Sequence, residues 1–244
     1  MIDTHAHLGD DAAEVVARAH EAGVTRIVDV ATTLAGAHES LDRADRYDGV
    51  YACLGIHPPG AAGPDADHVD ELLELFSHPR AVALGETGLD YFRDYAPHDA
   101  QQRLFDAQLG LALEVGKPVV IHSRAADDDT RTRLVRHDGP VILHCFSSEP
   151  LLPAALEHGW YVSFAGNVTY KNAYDLRAAA RRIPADRLLV ETDSPYLAPQ
   201  DVRGRRNEPA YVRHTLEALA QARGEDAAEL ERQIDANASA VFSL

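Results

Sequence analysis

The chain has 244 residues, a formal net charge of −16 and two cysteines. That length accommodates one large domain with an ample core, at a size where α/β barrels are common. The acidic balance argues against a protein that coats long nucleic acid electrostatically, but it leaves room for a local cationic point of the kind a divalent-metal cluster supplies. Cys53 and Cys145 each lie inside an apolar run, which argues for reduced thiols and against a disulfide framework or thiolate cluster, and so favours the cytoplasm. No segment has the length and apolarity of a membrane span, and no basic region followed by an apolar stretch opens the chain, so neither a membrane nor a secretory signal is expected.

Taken in order, short β-branched runs alternate with helical patterns, without low-complexity tracts or a dividing linker. The opening segment Met1 to Leu8 reads as a strand carrying His5 and His7. Residues i and i+2 of a strand share a face, so the two imidazoles project side by side, as a chelating pair would. A helical pattern over Asp10 to Ala22 stops at Gly23, and Thr25 to Val30 gives a second strand followed by a helix over Ala35 to Arg46. Val50 to Ile56 is a third strand entering His57-Pro58-Pro59, with its helix over Asp67 to Ser77, and Arg80 to Leu84 is a fourth running into Gly85-Glu86.

The longest amphipathic pattern spans Pro97 to Val115, with Leu104, Phe105, Gln108, Leu111, Ala112 and Val115 on related faces, and Gly116 ends it. Pro118 to Ile121 then enters His122-Ser123-Arg124, and Pro140 to Leu143 enters His144-Cys145-Phe146. Trp160 to Phe164 is a seventh strand, and Arg187 to Val190 an eighth that enters Glu191-Thr192-Asp193. Strands and helices in this alternation predict a (β/α)8 TIM-type barrel, a single domain over residues 1–244 with extra C-terminal helices.

In such a barrel the carboxyl ends of the strands converge on one rim. His5, His7, Glu86, His122, His144 and Asp193 all fall at those ends. Taken singly, each has an ordinary explanation: a capping or paired carboxylate, a satisfied core histidine, a turn aspartate before Ser-Pro. Their joint placement points to a metal centre. Imidazole and carboxylate donors without thiolate suit zinc, manganese, nickel, iron or magnesium. Six donors exceed the three that one catalytic zinc commonly takes, so two divalent ions are the economical reading. On that reading His5, His7 and Asp193 hold one ion, His122 and His144 hold the other, and Glu86 bridges them.

At these residues the chain resembles the TatD-type metal-dependent deoxyribonucleases, within the wider amidohydrolase-like group. The matching segments are Ile2 to Leu8, Gly55 to Pro58, Gly85-Glu86-Thr87-Gly88-Leu89-Asp90-Tyr91, Pro118 to Arg124, His144-Cys145-Phe146-Ser147, Glu191 to Leu197 and Arg203-Gly204-Arg205-Arg206-Asn207-Glu208-Pro209, nearly from one end to the other. The resemblance implies the same barrel, a phosphodiesterase, and the same six metal ligands. It adds Glu191, as ligand of a third ion or as a group that positions a ligand. Ser148 departs from the family, which usually has glycine there, and this bears on substrate specificity more than on metal binding.

The expected reaction is hydrolysis of a phosphodiester by an activated water, with Glu86 and Asp193 catalytic and Asp193 accepting or orienting the water's proton. Arg124 and Arg205 are candidates for binding phosphate, and His57 for binding phosphate or donating a proton. Taken singly, the arginines read as surface ion pairs and His57 as a turn residue. Tyr91 and Phe92 are candidates either for stacking on bases or for packing the rim. The expected substrate is a single-stranded DNA end or other nucleic acid, cut with the 3′ polarity that the resemblance implies, by a monomer. Three alternatives use the same residues: a small-molecule amidase or lactonase, an ester hydrolase acting on charged transfer RNA, and a non-catalytic metal-dependent nucleic-acid-binding or scaffold protein.

Overall fold

Eight parallel strands pair in chain order in the computed structural model, which describes residues 1–93 and 95–244. They are β1 (Ile2–Ala6), β2 (Arg26–Val30), β3 (Val50–Leu54), β4 (Ala81–Asp90), β5 (Val119–Arg124), β6 (Val141–Leu143), β7 (Tyr161–Phe164) and β8 (Leu188–Val190). The intervening helices are α1 (Ala12–Glu21), α2 (Leu34–Arg46), α3 (Glu71–Leu75), α4 (His98–Val115), α5 (Asp127–Leu134), α6 (Leu152–His158) and α7 (Tyr174–Arg182), and α8 (Val212–Arg223) and α9 (Ala227–Phe242) close the chain. The result is the expected (β/α)8 TIM-type barrel, nearly closed, in which α8 is the eighth barrel helix and α9 is added at the C-terminus. Among the described residues no helix is long and apolar enough to cross a membrane.

The strands are brought together between β8 and β1 by side chains as much as by backbone. Ala6 and Ser194 form a parallel bridge. Thr4 Oγ1 donates to Val190 O at 2.9 Å, and Asp3 accepts from Thr192 N at 2.9 Å and from Thr192 Oγ1 at 2.6 Å. Inside, Ile2, Val28, Cys53, Val120, Ile142 and Leu189 form one apolar cluster with Ala238, Val241 and Phe242 of α9. The last helix therefore seals the amino end of the barrel. Burying a ring such as Phe242, 1% exposed, contributes about 2 kcal/mol.

The largest departures from the expected elements are in the fourth and fifth strands and the third helix, the fifth strand running to Arg124 instead of ending at Ile121. The fourth strand does not stop at Leu84 but continues to Asp90, because after a register irregularity between Leu84 and Thr87 it pairs with β5 from Thr87↔Ile121 through Asp90↔Arg124. Glu86 and His122 thus lie within strands. The helix expected over Asp67 to Ser77 is instead a 3-10 turn, Pro64–Asp67, and the short α3, because the backbone leaves helical geometry at His68 with φ −125°.

Candidate metal centre

On or just past three strands a polar residue follows an apolar interior one by two positions: His122 after Val120, His144 after Ile142, Glu191 after Leu189. Because i and i+2 share a face, these three side chains project into the mouth above the apolar plug. His5 enters the same space from β1, whose register is irregular between Asp3 and Ala6. Glu86 reaches it because β4 lies unusually close to β5. A Cβ on Gly88, whose φ is +136°, would stand 2.0 Å from the His122 carbonyl oxygen, so only glycine permits that approach.

Two buried glutamines of α4 fix the surrounding backbone. Gln108 Oε1 accepts from Ile56 N at 2.8 Å, and its Nε2 donates to Ile56 O and to Thr87 Oγ1. Gln101 does the same for Asp90, accepting from its amide at 2.8 Å and donating to its carbonyl at 3.1 Å. The longest helix is thereby bonded to β4 just past Glu86, at Thr87 and Asp90, and to the loop that carries His57.

Glu86 stands at the middle of the cluster, and its two oxygens face different imidazoles. Oε1 lies 2.8 Å from His122 Nδ1, 2.9 Å from His144 Nε2 and 3.2 Å from His57 Nε2. Oε2 lies 3.5 Å from His5 Nε2 and 3.7 Å from His7 Nε2. Asp193 Oδ1 completes the second side, 3.6 Å from His7 Nε2 and 3.9 Å from His5 Nε2. The donor atoms group as His5, His7 and Asp193; as His57, Glu86 and His122; and as His5, Glu86 and His144.

Three of the imidazoles are held from outside by oxygen acceptors. His122 Nε2 faces Asp90 Oδ2 at 3.3 Å, His144 Nδ1 faces Glu191 Oε1 at 3.1 Å, and His7 Nδ1 donates to the Val30 carbonyl at 2.9 Å. Such contacts fix the tautomer that turns the other nitrogen's lone pair inward, the arrangement that metal-ligating histidines commonly show. His5 Nδ1 and Glu191 Oε2 are buried without a hydrogen-bond partner among the described residues. This donor set, imidazole and carboxylate turned onto one point, fits a divalent cation.

The carboxylates and imidazoles of the cluster shift one another's protonation. Burial opposes charge on Glu86, but His57, His144 and His122 outweigh it and keep that carboxylate well below its usual range. Burial likewise lowers His144, yet Glu86 and Glu191 drive it well above its ordinary value. His7 is pushed up to about 9, with Asp193 and Glu86 overcoming desolvation. His5 moves down, through burial and the neighbouring His144. A cation entering here replaces protons on the same nitrogens.

Asp193 and Glu191 are separated by a turn. Asp193 adopts a left-handed φ of 54°, which aspartate tolerates better than most residues. Glu191 is fully buried beneath the mouth, accepting from Cys145 N at 2.8 Å besides its contact with His144. Glu191 belongs to none of the donor groups among the described residues. Its place is under His144.

The other expected residues distribute unevenly. His57, a candidate for binding phosphate or donating a proton, has its Nε2 3.2 Å from Glu86 Oε1, with its side chain 20% exposed. Arg124 is exposed on the rim, its guanidinium 4.0 Å from the Phe92 ring centroid. Arg205 is exposed on the loop after β8, and the adjacent Arg206 is engaged with Asp11 at 2.6 Å. Tyr91 packs, its ring stacked on His98 and its hydroxyl donating to Asp129 at 2.8 Å, whereas Phe92 is 66% exposed. At the departure from the family, Ser148 has φ −105° and donates to Asp127 Oδ1 at 2.6 Å, so the backbone there needs no glycine.

Asp90 and Asp3 were not singled out from the sequence. Asp90 is 2% exposed, and its Oδ1 accepts from the amides of Phe92 and Arg93 while Oδ2 meets His122. Hydrogen bonding and His122 hold it down to about 2 against desolvation. It follows Glu86 by four residues on one strand, a same-face signal hidden by ending that strand at Leu84. Asp3 is raised to about 8 by burial despite its bonds from Thr192 and His5.

The family model described as TatD related DNase matches residues 2–243. A metal-dependent hydrolase of Bacillus subtilis (strain 168), YabD, is 37% identical over 253 residues, spanning 100% of this chain and 99% of its own. The 3′-5′ ssDNA/RNA exonuclease TatD of Escherichia coli (strain K12) is 35% identical over 250 residues, spanning 99% and 96%. Among solved structures, the TatD homologue YJJV of Escherichia coli K12 superposes with a TM-score of 0.89 at 32% identity, covering 100% of this chain and 98% of the other.

Proposed function

The chain belongs to the TatD-related DNase family of metal-dependent hydrolases, and from that premise we propose that it cleaves phosphodiester bonds of DNA from exposed single-stranded 3′ ends. The observation that carries the reading is the Glu86 carboxylate, with one oxygen turned to His122 and His144 and the other to His5 and His7. Two divalent cations, from among zinc, manganese, magnesium, nickel and iron, would be held by His5, His7 and Asp193 on one side and by His122 and His144 on the other, with Glu86 shared. When bound, they supply Lewis acidity and a water that ionises near neutral pH.

The chain's own groups do the rest. Asp193, 14% exposed at its side chain and facing the mouth, accepts or orients the proton of the attacking water. Glu191 and Asp90 keep His144 and His122 in the required tautomers. Arg124 and Arg205 neutralise phosphate at the rim, and His57 stands beside Glu86 to donate a proton toward the leaving oxygen or to supply a further nitrogen donor. The name of the Escherichia coli relative, a 3′-5′ ssDNA/RNA exonuclease, supports both the single-stranded substrate and the polarity.

The test is a comparison of two substrates. Incubated with a 3′-labelled linear oligonucleotide and with a covalently closed single-stranded circle of the same sequence, the metal-loaded protein is expected to release 3′-terminal nucleotides and to leave the circle intact. Equal rates on the two would reject end-dependence, and release from the 5′ end first would reverse the polarity.

A further inference from the structure

Four aromatic side chains are exposed among the described residues: Phe92 at 66%, Tyr95 at 64%, Tyr174 at 71% and Tyr196 at 62%. A scattered exposed ring is ordinary on any surface. These are not scattered. All four lie in segments that follow the carboxyl ends of β4, β7 and β8, the end of the barrel where the donor cluster sits.

Two of the rings are tied directly to that cluster, on opposite sides. The Phe92 amide donates to Asp90 Oδ1 at 3.0 Å, and the other oxygen of Asp90 meets His122 at 3.3 Å. Arg124, at the end of β5, places its guanidinium carbon over the Phe92 ring, 4.0 Å from the centroid. Across the mouth, the Tyr196 ring centroid is 6.1 Å from that of His7. Its backbone is fixed, with the amide donating to Asp193 O at 2.9 Å and the carbonyl accepting from Asn207 Nδ2 at 2.6 Å. His122 and His7 face different oxygens of Glu86, so the two rings flank the place where a phosphodiester would react.

Resting on the phosphodiesterase reading above, we propose that Phe92 with Arg124 on one side, and Tyr196 on the other, are stacking sites for the two bases on either side of the cleaved phosphate. Any unpaired base offers a π-face to such rings, whereas bases inside a duplex are stacked on both faces and held by pairing. The guanidinium over the Phe92 ring adds a cation, itself able to stack on a base and donate to its phosphate. That pairing gives a molecule of net charge −16 a local means of holding an anionic strand. The platform selects single-stranded polynucleotide over both duplex and small phosphodiester.

The experiment compares an ordinary single-stranded oligonucleotide with one whose last two 3′ nucleotides lack bases, both cut by the metal-loaded protein. Stacking of this kind contributes roughly tenfold per base. Wild-type kcat/KM is therefore expected to fall about 100-fold on removal of both bases, chiefly through KM. In a Phe92→Ala/Tyr196→Ala variant, kcat/KM on the ordinary strand should fall by a similar factor, and base removal should then cost nothing further. Phe92→Trp in place of Phe92→Ala should restore discrimination at that site. Cleavage of both strands at equal rates by the wild type, or full discrimination kept by the double variant, would overturn the platform alone. No cleavage of the ordinary strand would overturn the phosphodiesterase reading and the platform with it.

Discussion

Glu86→Gln is expected to lower turnover by at least about 1,000-fold and to weaken cation binding by more than roughly 100-fold, while the protein still folds. Removing even an outer partner of a metal ligand costs 10- to 100-fold in affinity or activity, and Glu86 touches five imidazoles directly. Folding suffers less, because His144 and His122 keep Glu191 and Asp90 as carboxylate partners. Leaving part of that network unpaired costs about 1–3 kcal/mol, roughly 2–10 °C in melting temperature for a chain of this size. Metal content by elemental analysis, read beside activity and melting temperature, checks all three. Retention of two cations per chain with near-normal turnover would show that Glu86 is not shared between them.

The second large effect separates the two acids after β8. Asp193→Ala is expected to cost about 100- to 10,000-fold in kcat, the range for a positioned group that moves a proton in the transition state. Glu191→Ala should cost about 10- to 100-fold, because that carboxylate acts through His144. The left-handed turn at Asp193 is what divides these roles, sending one carboxylate toward His7 and leaving the other under His144. Single-turnover rates with saturating cation decide the ranking. If Glu191→Ala were the more damaging, the roles assigned to the two acids would have to be exchanged.

The alternation of β-branched runs and helical periods was enough to predict the barrel, because period 2 and period 3.6 are local properties of the chain. That the six expected donors would gather at one place was legible for a related reason: each closes or follows an apolar run, and barrel topology brings run ends to one rim. What local pattern could not show is how far a strand continues past such a residue. β4 passes through Glu86 to Asp90 because glycines at 85 and 88 let it lie against β5, a contact made with a segment more than thirty residues away. Losing that extension hid Asp90, and with it the way His122 is held.

Asp3 and the two glutamines of α4 were illegible for another reason. Buried polar residues in apolar surroundings look like exceptions until their partners are known, and those partners are distant in the chain: Thr192 for Asp3, Ile56 and Thr87 for Gln108. His57 shows the same limit. Its Pro-rich surroundings read as a loop, and only the folded barrel brings its Nε2 to Glu86. Phe92 and Tyr91, adjacent in sequence and equivalent in character, part company because Tyr91 has Asp129 and His98 to pack with and Phe92 has Arg124 above it.

The central claim is that this barrel mouth works with two cations shared through Glu86. Protein stripped with a chelator and titrated with manganese, with the rate on a single-stranded oligonucleotide recorded at each addition, tests it most directly. Turnover is predicted to stay near background up to one cation per chain and to rise in step with the second. Full turnover at one cation per chain, or none at two, would contradict it.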